Sequence, residues 1–149
     1  MSSNPDWLVK LTLFLHAGTS VILLGAAGHY ALMTLGSLRG RPAPPRLAGV
    51  YTRSILVAYL LCFVTGAMTY PAFKRDVRPE LDRAIPWATG LFEIKEHFAA
   101  IGLLACLALW LVSRNGGSSR WVNALVVLIA SLIFYLGGAG TLLVMLRSV

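Results

Sequence analysis

The chain has 149 residues, 57% of them apolar and 13% charged, with a formal net charge of +7. An ordinary soluble domain is about 25% charged, and mean hydropathy here is +0.72. These values exclude a disordered chain, a disulfide scaffold and a typical soluble enzyme, and the length allows one compact domain, residues 1–149.

A bilayer core of about 30 Å needs about 20 apolar helical residues. Four blocks are that long: 8–35, 50–73, 88–113 and 121–146. The N-terminus lacks a basic region followed by a small-residue cleavage site, so the first block is expected to be a retained span. Residues 36–49 hold three prolines, three glycines and three arginines, which predicts a short rigid loop. Residues 74–87 mix charges with Val77, Leu81 and Ile85 at four-residue spacing, which predicts a short helix lying on the membrane surface. Residues 114–120 (RNGGSSR) predict a tight flexible turn. The expected fold is all-α, a four-helix transmembrane bundle with an amphipathic helix between spans two and three.

Four spans put both termini and the 74–87 loop on one side, side A, and the other two loops on side B. Every acid falls on side A: Asp6, Asp76, Glu80, Asp82, Glu93 and Glu96. Side B carries Arg39, Arg41, Arg46, Arg53, Arg114 and Arg120. Its short, purely basic loops predict that side B is cytoplasmic and the termini non-cytoplasmic, in a multi-pass protein of the cell membrane. Basic residues clustered at span ends serve orientation, so no nucleic-acid partner is expected.

Depth follows from the rise of 1.5 Å per helical residue. His16 lies roughly 12 Å below side A, and His97 of the third span roughly 13 Å. Ionisable residues inside a membrane are functional candidates. Gly137, Gly138 and Gly140 of the fourth span and Gly66 of the second fall in the same layer, at about 9–14 Å. Two imidazoles with side-chain volume removed around them suit a bis-histidine haem b, with His16 and His97 as metal ligands. Glycines also serve close helix packing, and a membrane histidine also serves hydrogen bonding between helices. Lys10, Lys74, Arg75 and Lys95 lie near enough in the chain to meet haem propionates on side A. Glu93 stands four residues before His97 and is placed to orient its ring.

His29 lies near side B on a stripe with Gly18, Ile22 and Gly25, which reads as a packing face. A two-fold homodimer would present it from both copies. Tyr30, Tyr51, Arg53, Trp121 and His29 form either a quinone or headgroup site or, as on most membrane proteins, an aromatic and basic belt. Cys62 and Cys106 lie in apolar blocks without a C-x-x-C pair and read as packing residues. The four methionines are too scattered for a copper site. Walker A, H-E-x-x-H, G-x-S-x-G and Rossmann patterns are absent.

The first-span segment KLTLFLHAG and the third-span start EIKEHFAAIGLL resemble those of small bacterial four-helix membrane haem proteins. The outline is similar to the oxygen-independent protoporphyrinogen oxidases of the HemJ type and to CopD-type membrane domains. The first resemblance implies a b-type haem and porphyrinogen oxidation, with His16 as a ligand and either Lys95 or His97 in the third-span role. The expected function is a small b-type haem protein or haem-bearing redox subunit for electron transfer, working with a quinone or a larger respiratory complex. Two other classes stay open: a cofactor-free accessory subunit of a membrane complex, and a transporter or proton path through Glu96 and His97.

Overall fold

The computed structural model describes residues 5–40, 44–114 and 119–147. Five helices follow in order: α1 (Asp6–Leu38), α2 (Pro45–Asp76), α3 (Arg78–Ala84), α4 (Pro86–Arg114) and α5 (Ser119–Arg147). Among the described residues there is no strand. α1, α2, α4 and α5 are each long and apolar enough to cross a membrane. The chain is therefore an all-α, four-span membrane bundle, as its apolar blocks predict.

The helix ends show where local chemistry overrides block boundaries. α2 begins at Pro45, because proline fits the first helical turn, where its missing N–H has no partner to lose. The expected 36–49 loop thus shrinks from both ends, and Arg41 within it lies outside the described residues. α2 also runs on past Phe73 to Asp76, carrying Pro71 inside it. Most of the expected 114–120 turn likewise lies outside the described residues.

The spanning helices pack in a ring, α1 against α2, α2 against α4, α4 against α5 and α5 against α1. α1 and α4 are therefore diagonal partners across the bundle axis. The core is built from Leu23, Ala27, Tyr30, Ile55, Tyr59, Cys106, Leu109, Ile129 and Ile133. Buried or half-buried residues on α4 recur at 88, 92, 95, 99, 102, 106 and 109, alternating steps of four and three. That spacing keeps one seam facing the neighbouring helices. Large apolar residues on the other faces are exposed, such as Phe14 at 75%, as a lipid-facing surface requires.

One interhelical contact is especially tight. The Tyr59 hydroxyl donates to the Ala99 carbonyl at 2.9 Å, tying α2 to α4. Its ring crosses α4 at Gly102, where a Cβ would collide with the phenol.

α3 is the surface helix expected between spans two and three. Its Leu81 is 5% exposed and packs with Ala88 and Leu143, with Phe73, Val77, Ile85 and Phe92 around them. The four-residue spacing of Val77, Leu81 and Ile85 thus puts all three on the side that meets the bundle. Above this apolar plug, Arg78 reaches from α3 to Glu93 of α4 at 2.7 Å and to Asp82 at 3.7 Å. Phe73 and Phe92 stack within the plug, their ring centroids 4.0 Å apart.

Candidate functional site

On the side A half of the bundle, polar groups of α1 and α2 gather around His16. The residue is half-buried, and its Nδ1–H donates to the Cys62 carbonyl of α2 at 2.9 Å. A carbonyl can only accept, so the proton is on Nδ1 and the lone pair of the neutral ring is on Nε2. Ser20 donates its hydroxyl to the His16 carbonyl at 2.7 Å, and its oxygen lies 3.1 Å from Cys62 Sγ. With the serine proton committed, the thiol is the donor of that second contact. His16, Cys62 and Ser20 thus close a ring of hydrogen bonds between α1 and α2. Thr65 Oγ1 approaches His16 Nδ1 to 3.4 Å while donating to the Leu61 carbonyl at 2.8 Å.

Gly66 makes the arrangement possible. A Cβ there would stand 3.1 Å from His16 Cε1 and 3.3 Å from Nδ1. The imidazole occupies the volume that the missing side chain leaves.

Across the bundle axis, α4 presents Lys95. Its Cε would lie 3.6 Å from a Cβ at Gly140 of α5, and its Nζ sits 5.5 Å from the Phe92 ring centroid. None of the ion pairs among the described residues involves Lys95. It lies within electrostatic reach of His16. Gly66 makes room for His16, whereas a Cβ at Gly140 would meet Lys95 at ordinary contact distance.

His97 is not brought to His16. It is exposed, and its Nδ1–H donates to the Glu93 backbone carbonyl at 2.7 Å. The reason is helical phase: His97 is two residues past Lys95, about 200° around the helix. With Lys95 in the seam, His97 points outward. The Glu93 carboxylate does not orient His97 either, since it is engaged by Arg78 of α3. Equal depth in the membrane does not make two histidines face each other.

The remaining glycines divide. Gly137 packs on Leu24 of α1, where a Cβ would meet Leu24 Cδ1 at 3.2 Å, whereas Gly138 is exposed with no atom within 4 Å. Gly137→Leu is therefore expected to destabilise the bundle by about 1–3 kcal/mol, the usual cost of overpacking. Gly138→Leu is expected to be neutral, and unfolding of the two variants in mixed micelles checks the difference.

Near side B, His29 lies against Tyr51 (5.2 Å between centroids), and Tyr51 stacks on Tyr30 (5.7 Å). Trp121 and Arg53 take no part in these ring contacts and are exposed. The stripe of Gly18, Ile22, Gly25 and His29 is exposed, and among the described residues no other helix comes within 4 Å of where a Cβ would stand at either glycine.

Depth alone locates His16 and Gly66 but gives no hint of Cys62, because that contact depends on the register of α1 against α2. The signal for Lys95 is in the sequence, in the alternating spacing of Ala88, Phe92, Lys95, Ala99, Gly102 and Cys106. Among the described residues no group of three or more His, Cys, Asp or Glu side chains forms a metal-binding cluster. No family model, curated protein or solved structure matches the chain.

Proposed function

We propose that the protein is a small integral-membrane haem protein or haem-bearing redox subunit, with His16 as the protein ligand of a b-type haem. The observation that carries this reading is the orientation of His16. A metal-binding histidine almost always donates its other ring N–H to a carbonyl, carboxylate or water, which fixes the tautomer and the ring plane. His16 does so toward the Cys62 carbonyl, and this leaves Nε2 as the free donor atom. His97 does not fit the second ligand position, because it is exposed on another face of α4. The haem would therefore have one histidine from the chain.

Lys95 has a different part in this reading. Its ammonium lies over Phe92, one turn nearer side A, and is in none of the close ion pairs among the described residues, the neighbouring Glu96 acting on it only electrostatically. A cation inside a membrane without a close counter-ion is costly. A propionate carboxylate would neutralise Lys95. Bound haem would supply one-electron chemistry; the chain orients His16 and places the Lys95 cation. A quinone or a larger redox complex is the expected exchange partner.

Haem content of variants separates the residues. His97→Ala and Glu93→Gln are expected to keep wild-type haem content, whereas Gly66→Leu, which drives a side chain into the imidazole, is expected to lose most of it. Pyridine haemochrome absorbance per mole of protein measures this. Loss of haem in His97→Ala would contradict the assignment.

One observation favours a second reading, a cofactor-free accessory subunit. Gly18 and Gly25 give α1 a narrow outward stripe that the described residues leave uncovered, and such stripes allow close helix packing in membranes. A colourless protein that co-purifies with a membrane complex would support it.

A further inference from the structure

Toward side B from His16, α1 and α2 leave an open groove of about 390 Å³. Its walls include Thr19 and Ile22 of α1, and Arg53, Ser54, Val57 and Leu61 of α2. Apart from Thr19, whose hydroxyl donates to carbonyls of its own helix, the walls are apolar except at the Arg53 end. Arg53 is eight residues from Leu61, about 12 Å along the helix, and lies nearer side B, where α2 begins. Its side chain is exposed and takes part in none of the ion pairs among the described residues. Ser54 is exposed beside it. Thr52, Thr65 and Thr69 of the same helix donate to carbonyls of their own chain. Ser54 has no such bond among the described residues.

We propose that this groove binds one acidic phospholipid, its phosphate on Arg53 and Ser54 and an acyl chain along Ile22, Val57 and Leu61. Charge complementarity selects this occupant. All six acids of the chain belong to side A, so the chain itself offers Arg53 no counter-ion. A membrane-facing arginine at headgroup depth takes its counter-charge from a lipid phosphate. A quinone headgroup is neutral and leaves Arg53 uncompensated. A second copy packed face to face would bring another arginine and no acid. A zwitterionic lipid brings a cation along with its phosphate. An acidic phospholipid satisfies both the charge at the groove's end and the apolar walls beyond it.

Native mass spectrometry of the purified protein tests this, with phosphatidylglycerol and phosphatidylcholine of identical chains added to the micelle. The expected result is retention of one phosphatidylglycerol, favoured over phosphatidylcholine by about fivefold, the size of one arginine–anionic-lipid interaction. Arg53→Gln should abolish the preference, while Arg46→Gln, at an exposed arginine outside the groove, should keep it. Val57→Trp, which fills the groove, should reduce retention of both lipids. Equal retention of the two lipids by the wild type, or an unchanged preference in Arg53→Gln, would overturn the proposal, as would displacement of phosphatidylglycerol by a short-chain quinone. Lipid retention is read independently of haem, so this result and the haem assignment stand or fall separately.

Discussion

Replacing His16 with glycine is expected to abolish haem binding while leaving the four helices folded. The imidazole is the interior side chain whose donor atom is freed by a fixed tautomer, because its Nδ1–H is committed to the Cys62 carbonyl at 2.9 Å. Losing a partner that merely orients a metal-binding histidine costs about 10- to 100-fold in metal affinity. Losing the ligand itself should cost more than about 100-fold, which leaves the purified variant colourless. The same substitution opens a space beside Gly66 that free imidazole fits. Added imidazole should therefore restore a haem spectrum to His16→Gly but not to Gly66→Leu, in which the space is filled. Circular dichroism of both variants should keep the wild-type helical signal. Retention of haem by His16→Gly without imidazole would remove His16 from the site.

The largest stability effect is expected at Gly102, where the Tyr59 ring of α2 lies against α4. The Tyr59 phenol lies over this glycine, and its hydroxyl donates to the Ala99 carbonyl at 2.9 Å. Tyr59 is 3% exposed, so its ring has no adjacent space to move into. A methyl group at position 102 must push the helices apart or expel the ring. Overpacking costs about 1–3 kcal/mol, and the broken hydrogen bond adds about 1 kcal/mol. Gly102→Ala is thus expected to lose about 2–4 kcal/mol in reversible unfolding by denaturing detergent. Tyr59→Phe, which removes only the hydroxyl, should lose about 1 kcal/mol. In the double variant Tyr59→Ala, Gly102→Ala, the cost of the alanine at 102 should vanish, since nothing remains for it to strike.

The bundle is legible in the sequence because bilayer thickness imposes a length of apolar helix that few other structures need. The surface helix is legible for a similar reason: Val77, Leu81 and Ile85 repeat at helical spacing and bury one side. The site is only half legible. Rise per residue gives depth, and depth gathers His16, His97, Gly66, Gly137, Gly138 and Gly140 into one expected layer, with Lys95 about half a turn from His97 in the chain. Depth says nothing about rotation around the helix axis, so it cannot separate His97 from Lys95; the packing seam of α4 does. Cys62 illustrates a further limit. Its contribution is a backbone carbonyl and a thiol set by the register of two helices, and apolar runs leave that register free. Glu93 follows the same logic, since Arg78 on α3 competes for its carboxylate.

The absorption spectrum of the protein, purified after expression with haem precursors supplied and recorded oxidised and then dithionite-reduced, tests the central assignment most directly. A His16-ligated haem predicts about one b-type haem per chain. It also predicts a spectrum characteristic of a single histidine ligand rather than of two, unchanged by His97→Ala. A colourless protein, or a bis-histidine spectrum lost in His97→Ala, would contradict it.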